Sequence, residues 1–300
     1  MTTSTSIAST NWSGAVITAG SGNSLSTVSA EWVVPNVTQV PISGVTTSDV
    51  AEWVGIDGYN SADVCQAGVL ETVQTSANGL TTISCSAFDE WSPAAANIIP
   101  ASSFQVNPGN TVQISVHTGG AGSTAAVFTF YDEQTGQGFG TPLAAPRGTS
   151  LKGNSAEFVV ETPEVISGGR ASQPLLSDFL SSPVVFQNAS ATYSNGSQAS
   201  LASAQSIGMW SDEVPGSYGT YVQEAYGTIQ PSSDSVTVTE NDYWPASSSD
   251  SNLASYGHFL LIQAMASFAP SEDGCPPWSS AASVDDSAQQ TMIAPPQQTL

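Results

Sequence analysis

The sequence predicts an all-β protein, and three observations carry that reading. Short runs rich in Val, Ile, Thr, Phe and Trp are separated by clusters of Gly, Asn, Ser and Pro. Many of the runs alternate apolar and polar residues, as antiparallel strands with one face toward a core do. Helical periodicity is nearly absent before residue 250. Strands are expected at 11–18, 29–35, 50–57, 63–74, 80–91, 111–117, 124–131, 155–161, 183–193 and 234–240. Ten such runs at this spacing favour a sandwich or jelly roll over a βαβ fold.

Taken in order, the runs share one logic. The first, Asn11-Trp12-Ser13-Gly14-Ala15-Val16, continues to residue 18 before Gly20 and Gly22 break it. The second stops at Pro35, and the third ends in Asp57-Gly58, a turn pair. In that third run Trp53, Gly55 and Asp57 share one face, with Val54 and Ile56 on the other. Val54 and Ile56 read as core, while Trp53 and Asp57 read as the wall of a wet groove. In the fourth run Gln66 shares its face with Val64, Gly68 and Leu70. At 155–161, Glu157, Val159 and Glu161 share a face opposite Phe158 and Val160. Tyr256–Phe268 is the one apolar stretch without strand-like punctuation, a short packed helix or a late strand. From Ala269 onward Pro, Ser, Asp and Gln dominate, which reads as a mobile tail. The expected division is a polar segment at 1–10, a β-sandwich at 11–240 and an extension at 241–300.

Composition narrows function. Of 300 residues, 25 are Asp or Glu and only 3 are Lys or Arg, giving a net charge of −22. Charged residues make up 9%, against about 25% in an ordinary soluble domain. The anomaly is missing base, because no acidic run exceeds two residues. Nucleic-acid binding and attraction to anionic membranes both need Lys and Arg, so neither is expected. No apolar stretch of about 18 residues exists to span a membrane. MTTSTSIAST offers no basic region followed by an apolar one, so no signal peptide is visible. The three cysteines are too few for a disulfide scaffold. Cys65 and Cys85 either bridge neighbouring strands, leaving Cys275 over, or all three are free thiols.

Several chemistries drop out. His117 and His258 lie far apart with no HExxH motif, which argues against a zinc hydrolase. There is no GxSxG elbow, no DTG or DSG loop, no GxGxxG and no Walker loop, so no nucleotide cofactor or metal is implied. Acid–base work falls to carboxylates, helped by amides or tyrosines.

Five patterns carry a more specific signal. They are Asn11–Val16, Glu52-Trp53-Val54-Gly55-Ile56-Asp57-Gly58, Cys65-Gln66-Ala67-Gly68-Val69, Glu90-Trp91-Ser92-Pro93 and Ala156-Glu157-Phe158-Val159-Val160-Glu161. In this order they resemble the glutamic peptidases, the eqolisin family of acid endopeptidases, over about residues 11–240. The resemblance implies a jelly-roll or concanavalin-like β-sandwich of two curved sheets with a concave substrate groove. It also implies a catalytic dyad, carried over motif by motif to Gln66 and Glu157. Trp12, Trp53, Asp57, Glu90, Trp91 and Glu161 fall at positions that line or support the groove. The implied substrates are polypeptides, handled by a secreted monomer.

The residue types suit that chemistry. An ionised Glu157 can take a proton from water and pass it to the leaving amine, while the Gln66 amide donates N–H to the oxyanion. A Glu with an ordinary pKa near 4.3 works at about pH 3–5, where a His would already be protonated. Three departures from the family pattern stand out: Phe158 for a Trp, Leu70 for an Asp, and Asp89 for an aromatic.

Simpler readings exist for each residue. Trp12, Trp32, Trp53 and Trp91 could all be core, Gln66 could satisfy a buried backbone group, and Glu157 could be a solvated strand acid. Asp57 could be turn chemistry alone. Arg147, Lys152 and Arg170 cluster around Glu157 in sequence, either as neighbours of the groove or as surface loops. Two other functions also fit a sandwich. A glycoside hydrolase needs two carboxylates within about 9.5 Å, but Glu157 and Glu161 are about 13 Å apart along one strand. A carbohydrate- or peptide-binding sandwich needs only an aromatic platform. Scarce base fits an acidic working pH, where positive self-repulsion would otherwise unfold the chain.

Overall fold

The structure is a computed structural model and describes residues 7–40, 45–163, 165–167, 170–172, 174–211 and 222–241. The strands are β1 (Ile7–Ser9), β2 (Trp12–Thr18), β3 (Leu25–Val33), β4 (Thr47–Ile56), β5 (Val64–Thr75), β6 (Thr81–Ser92), β7 (Asn97–Ile98), β8 (Thr111–Thr118), β9 (Ala125–Asp132) and β10 (Gln137–Ala144). They continue with β11 (Ser155–Glu161), β12 (Val165–Ser167), β13 (Arg170–Ser172), β14 (Leu175–Leu176), β15 (Val184–Tyr193), β16 (Gln198–Ala199), β17 (Gln205–Ser211), β18 (Val222–Gln230) and β19 (Ser235–Glu240). Two 3-10 turns, Leu201–Ser203 and Pro231–Ser233, are the only helical elements among the described residues.

All ten expected strands form. The apolar segment 256–268, the tail and Cys275 lie outside the described residues. Strands that composition does not announce are short or interrupted: β10 holds Gly138, Gly140 and Pro142, and alternates between half-buried and exposed residues.

Hydrogen bonds order the strands into two layers. The first runs β7–β6–β5–β4–β11–β2–β17–β18–β19–β15. The second runs β10–β9–β8–β3–β15–β16. These neighbours are all antiparallel; β1 on β17 and β14 on β4 are parallel. β15 belongs to both layers. Residues 184–186 pair with β19, and after a register shift between Gln187 and Ser190 the strand pairs with β3. Asn188 sits in that shift in the left-handed region, at φ 50°. A bulge of this kind bends a strand and lets it change sheets.

Alternation splits the first layer into two faces. The inward face joins the second layer in one core that includes Trp32, Val54, Ile56, Cys65, Ala67, Trp91, Phe128, Phe158 and Phe186. Val54, Ile56, Phe158 and Val160 lie where the alternation puts them. The opposite face carries a second, separate cluster of Trp12, Val16, Ala51, Trp53, Val64, Phe88, Val159 and Ile207. The cysteine bridge is excluded. Cys65 stands opposite Trp91 and Cys85 opposite Glu71, six positions apart along β5, or about 20 Å. Both thiols are free.

Candidate active site

The second cluster surrounds a row of polar residues that crosses five strands. Directly paired residues in an antiparallel sheet point to the same face. Register therefore lines up Val16, Glu157, Gly55, Gln66 and Glu90. Glu157 and Gln66 are two strands apart, about 10 Å at the backbone, and Gly55 between them contributes no side chain. A Cβ at Gly55 would come within 2.9 Å of the Trp53 ring and 3.2 Å of the Gln66 Cβ. The missing methyl leaves room for the Trp53 ring to lie over the backbone between Glu157 and Gln66. The next row is Gly14, Val159, Trp53, Gly68 and Phe88, and the one after it Trp12, Glu161, Ala51, Leu70 and Ser86.

This face is not wet. Glu157, Trp53 and Asp57 are 0% exposed and Gln66 only 3%, which corrects the expected groove wall. Burial dominates the electrostatics. Among the described residues, neither carboxyl oxygen of Glu157 has a hydrogen-bond partner. Desolvation drives its pKa well above the ordinary value, and the negative Asp57 adds to the rise. The Ser155 hydroxyl opposes it by more than Asp57 adds, and the Tyr59 backbone N–H by less, although neither makes a well-formed bond. Basic side chains are not among the groups that act on Glu157, so the sequence cluster of Arg147 and Lys152 does not tune it.

Gln66 Nε2 donates to Glu90 Oε2 at 2.9 Å, and its own Oε1 has no donor. It satisfies a side chain rather than a backbone group. Burial pushes Glu90 to about 8 despite that bond. Glu161 accepts from Trp53 Nε1 at 2.7 Å and from Asn11 Nδ2 at 3.0 Å. Burial, with repulsion from Glu90, still takes Glu161 to about 8. The Trp12 and Trp53 rings meet edge to face at 4.8 Å and wall the site. Sequence reasoning assigns no role to Asn11, Tyr59 or Ser155. Asn11 lies inside the first motif, which is the signal that could find it; Tyr59 carries none.

Two expected site residues lie elsewhere. Trp91 points the other way, into the core between the layers, because it pairs with inward-facing Cys65. Asp57 is an anchor rather than a groove wall. It follows the end of β4 in the left-handed region, φ 68°, and its carboxylate accepts from the backbone N–H groups of Lys152, Gly153 and Asn154 at 2.6, 2.9 and 2.8 Å. Those residues lead straight into β11, so Asp57 fixes where Glu157 begins its strand. An open cleft of about 620 Å³ is lined by other residues, Asn188, Gln198, Ser200, Pro231 and Asp234 among them. It offers room but not this chemistry.

The fold is an antiparallel sandwich with a buried amide and carboxyl in one row, and comparison with known proteins gives it a family. Residues 10–239 match the profile of the Peptidase A4 family. The chain belongs to that family, and is an endopeptidase of the glutamic type. Solved structures share the fold. A scytalido-glutamic peptidase with a transition state analog inhibitor aligns at 23% identity and TM-score 0.60, over 77% of this chain and 98% of that one. SCP-B, an eqolisin in complex with the tripeptide Ala-Ile-His, aligns at 23% identity and TM-score 0.57 over the same shares. No curated protein sequence matches the chain.

Proposed function

We propose that this peptidase cleaves polypeptides in acid, with Glu157 as general base and Gln66 as oxyanion donor. The observation that carries the reading is the Glu157–Gly55–Gln66 row, in which the carboxyl has no partner of its own. A side chain left unsatisfied in a dry site is free to act on what enters. Burial holds Glu157 protonated in the closed protein, so admitting water to the carboxyl belongs to the mechanism. Water lowers the cost of the charge, the ionised Glu157 removes a proton from that water, and the resulting hydroxide attacks the peptide carbonyl. The Gln66 N–H that is not bonded to Glu90 stabilises the tetrahedral oxyanion, and Glu157 returns the proton to the leaving amine. Atoms and charge balance within carboxyl, amide, water and peptide, so the reaction asks for no metal or cofactor.

Glu161, Trp53 and Trp12 support the reading as a rigid wall beside the row, and Glu90 as the residue that orients Gln66. Secretion and a monomeric state belong to the same proposal. Among the described residues no helix is long and apolar enough to cross a membrane. The test is a pH scan of casein cleavage with wild type and Glu157→Gln. Loss of at least about 10²–10⁴-fold at pH 3–4, in a variant that keeps its strand circular dichroism, is expected. Full activity in that variant ends the mechanism.

A further inference from the structure

β4 and β5 also turn a pair of acids the opposite way, into the space between the layers. Register sets Glu52 against Val69 and Val50 against Glu71, so the two glutamates are diagonal neighbours on the inward face. Both are 0% exposed. They stand among Val50, Val54, Val69, Val73 and Trp32 of the main core, with the whole sheet between them and the Glu157–Gln66 row.

As two carboxylates this arrangement would be unsatisfied throughout. None of the four oxygens has a donor, and like charges buried together repel. The Trp32 indole N–H and the backbone N–H of Glu52 itself are the donors in the vicinity, and both fall short of a proper bond. One proton changes the situation, because a carboxyl O–H on one glutamate can donate to the carboxylate of the other, and the two groups are within reach.

The groups facing the pair offer no other relief. From β6 comes Cys85, directly opposite Glu71, whose thiol is pushed up by burial and by both acids. Asp89 lies four residues further along the same face of β6, itself raised by burial. β11 contributes Phe158 and Val160, β3 contributes Trp32, and β8 contributes Val112, Ile114 and Val116, none of which titrates. Among the described residues, neither Lys, Arg nor His acts on either carboxyl.

We propose that Glu52 and Glu71 form a proton-sharing pair inside the sandwich that supports the fold while protonated and works against it once both carboxyls are charged. The direction follows from linkage. Burial raises Glu71 to about 8 and Glu52 well above its ordinary value, with repulsion from Glu71 adding to the latter. In the unfolded chain both titrate near 4.5. Stability from the protonated pair is therefore complete below about pH 4.5 and is lost as pH rises toward about 8. For each proton the folded state keeps and the unfolded state has released, the unfolding constant grows by up to tenfold per pH unit. The pair makes acid tolerance a property of the interior, separate from the catalytic row.

Urea unfolding of the full chain between pH 3 and 8 tests this, comparing wild type with E52Q/E71Q. Glutamine fills the same space and keeps an N–H donor but cannot ionise. The variant is expected to lose up to two tenfold steps per pH unit from the slope of its unfolding constant between pH 5 and 7. Casein cleavage at pH 4 is expected to stay within about twofold. If E52Q/E71Q fails to fold, E71Q alone carries the test, with an expected loss of up to one tenfold step per pH unit. A slope equal to that of wild type in the folded variant overturns the proposal. Because the readout is unfolding, failure here is distinct from failure of the Glu157–Gln66 mechanism, which E157Q reads through cleavage.

Discussion

Gln66 holds its amide by a single contact, the 2.9 Å bond from Nε2 to Glu90, and the side chain is useful only if that amide faces Glu157. Removing the contact frees the amide to rotate without touching the carboxyl that does the chemistry. Glu90→Ala is therefore expected to lower kcat by about ten- to a hundredfold with KM nearly unchanged; Glu90→Gln, which keeps an acceptor, restores part of it. Equal loss in both variants would deny the positioning role. Gly55 makes the complementary point. Its Cβ would stand 2.9 Å from the Trp53 ring, between the two groups, so Gly55→Ala forces Trp53 or Gln66 aside. We expect a stability loss of about 1–3 kcal/mol from overpacking and at least a tenfold fall in activity, read by urea melts and casein cleavage. What is legible of this site in sequence comes from the five motifs and the resemblance they carry, which pick out Glu157 and Gln66; alternation adds only which neighbours share each face, Gly68 with Gln66 and Val159 and Glu161 with Glu157. Their burial is not legible. Alternation reports that two faces differ, not which of them water reaches, so Trp53 and Asp57 read as wet. Trp91 escapes the pattern for a related reason: its direction depends on registry with Cys65, a pairing made across the β5–β6 hairpin rather than along one strand.

At the scale of elements, the join between β4 and β11 matters most. Asp57 closes β4 and accepts three backbone N–H groups from the residues that begin the approach to β11. No neutral side chain of that length can satisfy all three. Asp57→Ala leaves buried donors unpaired, at a cost on the order of 3–5 kcal/mol. For a domain of this size that corresponds to a fall in melting temperature of about 10 °C, measurable by calorimetry at pH 4. A fall of under about 2 °C would show that the loop holds itself. From sequence, Asp57-Gly58 announces a turn but not what the carboxylate binds, since the partners are about 95 positions away. The same limit runs through the strands. Runs with strong alternation, such as β5 and β11, are readable to within a residue. β17 and β18 are not, because Gly208 and Gly227 interrupt their apolar pattern and their pairing with β2 and β19 decides the outcome.

For the whole molecule, scarce base and buried acid act in the same direction. Three Lys and Arg and two His are nearly all the positive charge the chain can gather in acid, so little self-repulsion opposes folding there. The buried acids of the interior contribute more. Burial raises Asp49, Glu52, Glu71, Asp89, Glu90, Glu157 and Glu161 above their ordinary values. Each is protonated in the folded state at a pH where the unfolded chain has released the proton. Their contribution is thus complete below the unfolded values near 4, and disappears as pH climbs through the folded ones, about 8 for Glu71, Glu90 and Glu161. One retained proton is worth about 1.4 kcal/mol per pH unit. Several protons retained in this way are a large share of the stability of an ordinary domain, about 5–15 kcal/mol. The expected result is a melting temperature that is flat or highest at pH 3–4 and falls steeply toward pH 7, with net proton release when the protein is unfolded by urea at pH 6. Added salt separates the two causes, because it screens surface repulsion but reaches buried carboxyls far less. If about 0.5 M salt abolishes the fall, repulsion among the exposed acids is responsible; if the fall persists, its source is the buried acids. A melting temperature that rises from pH 4 to 7 contradicts both.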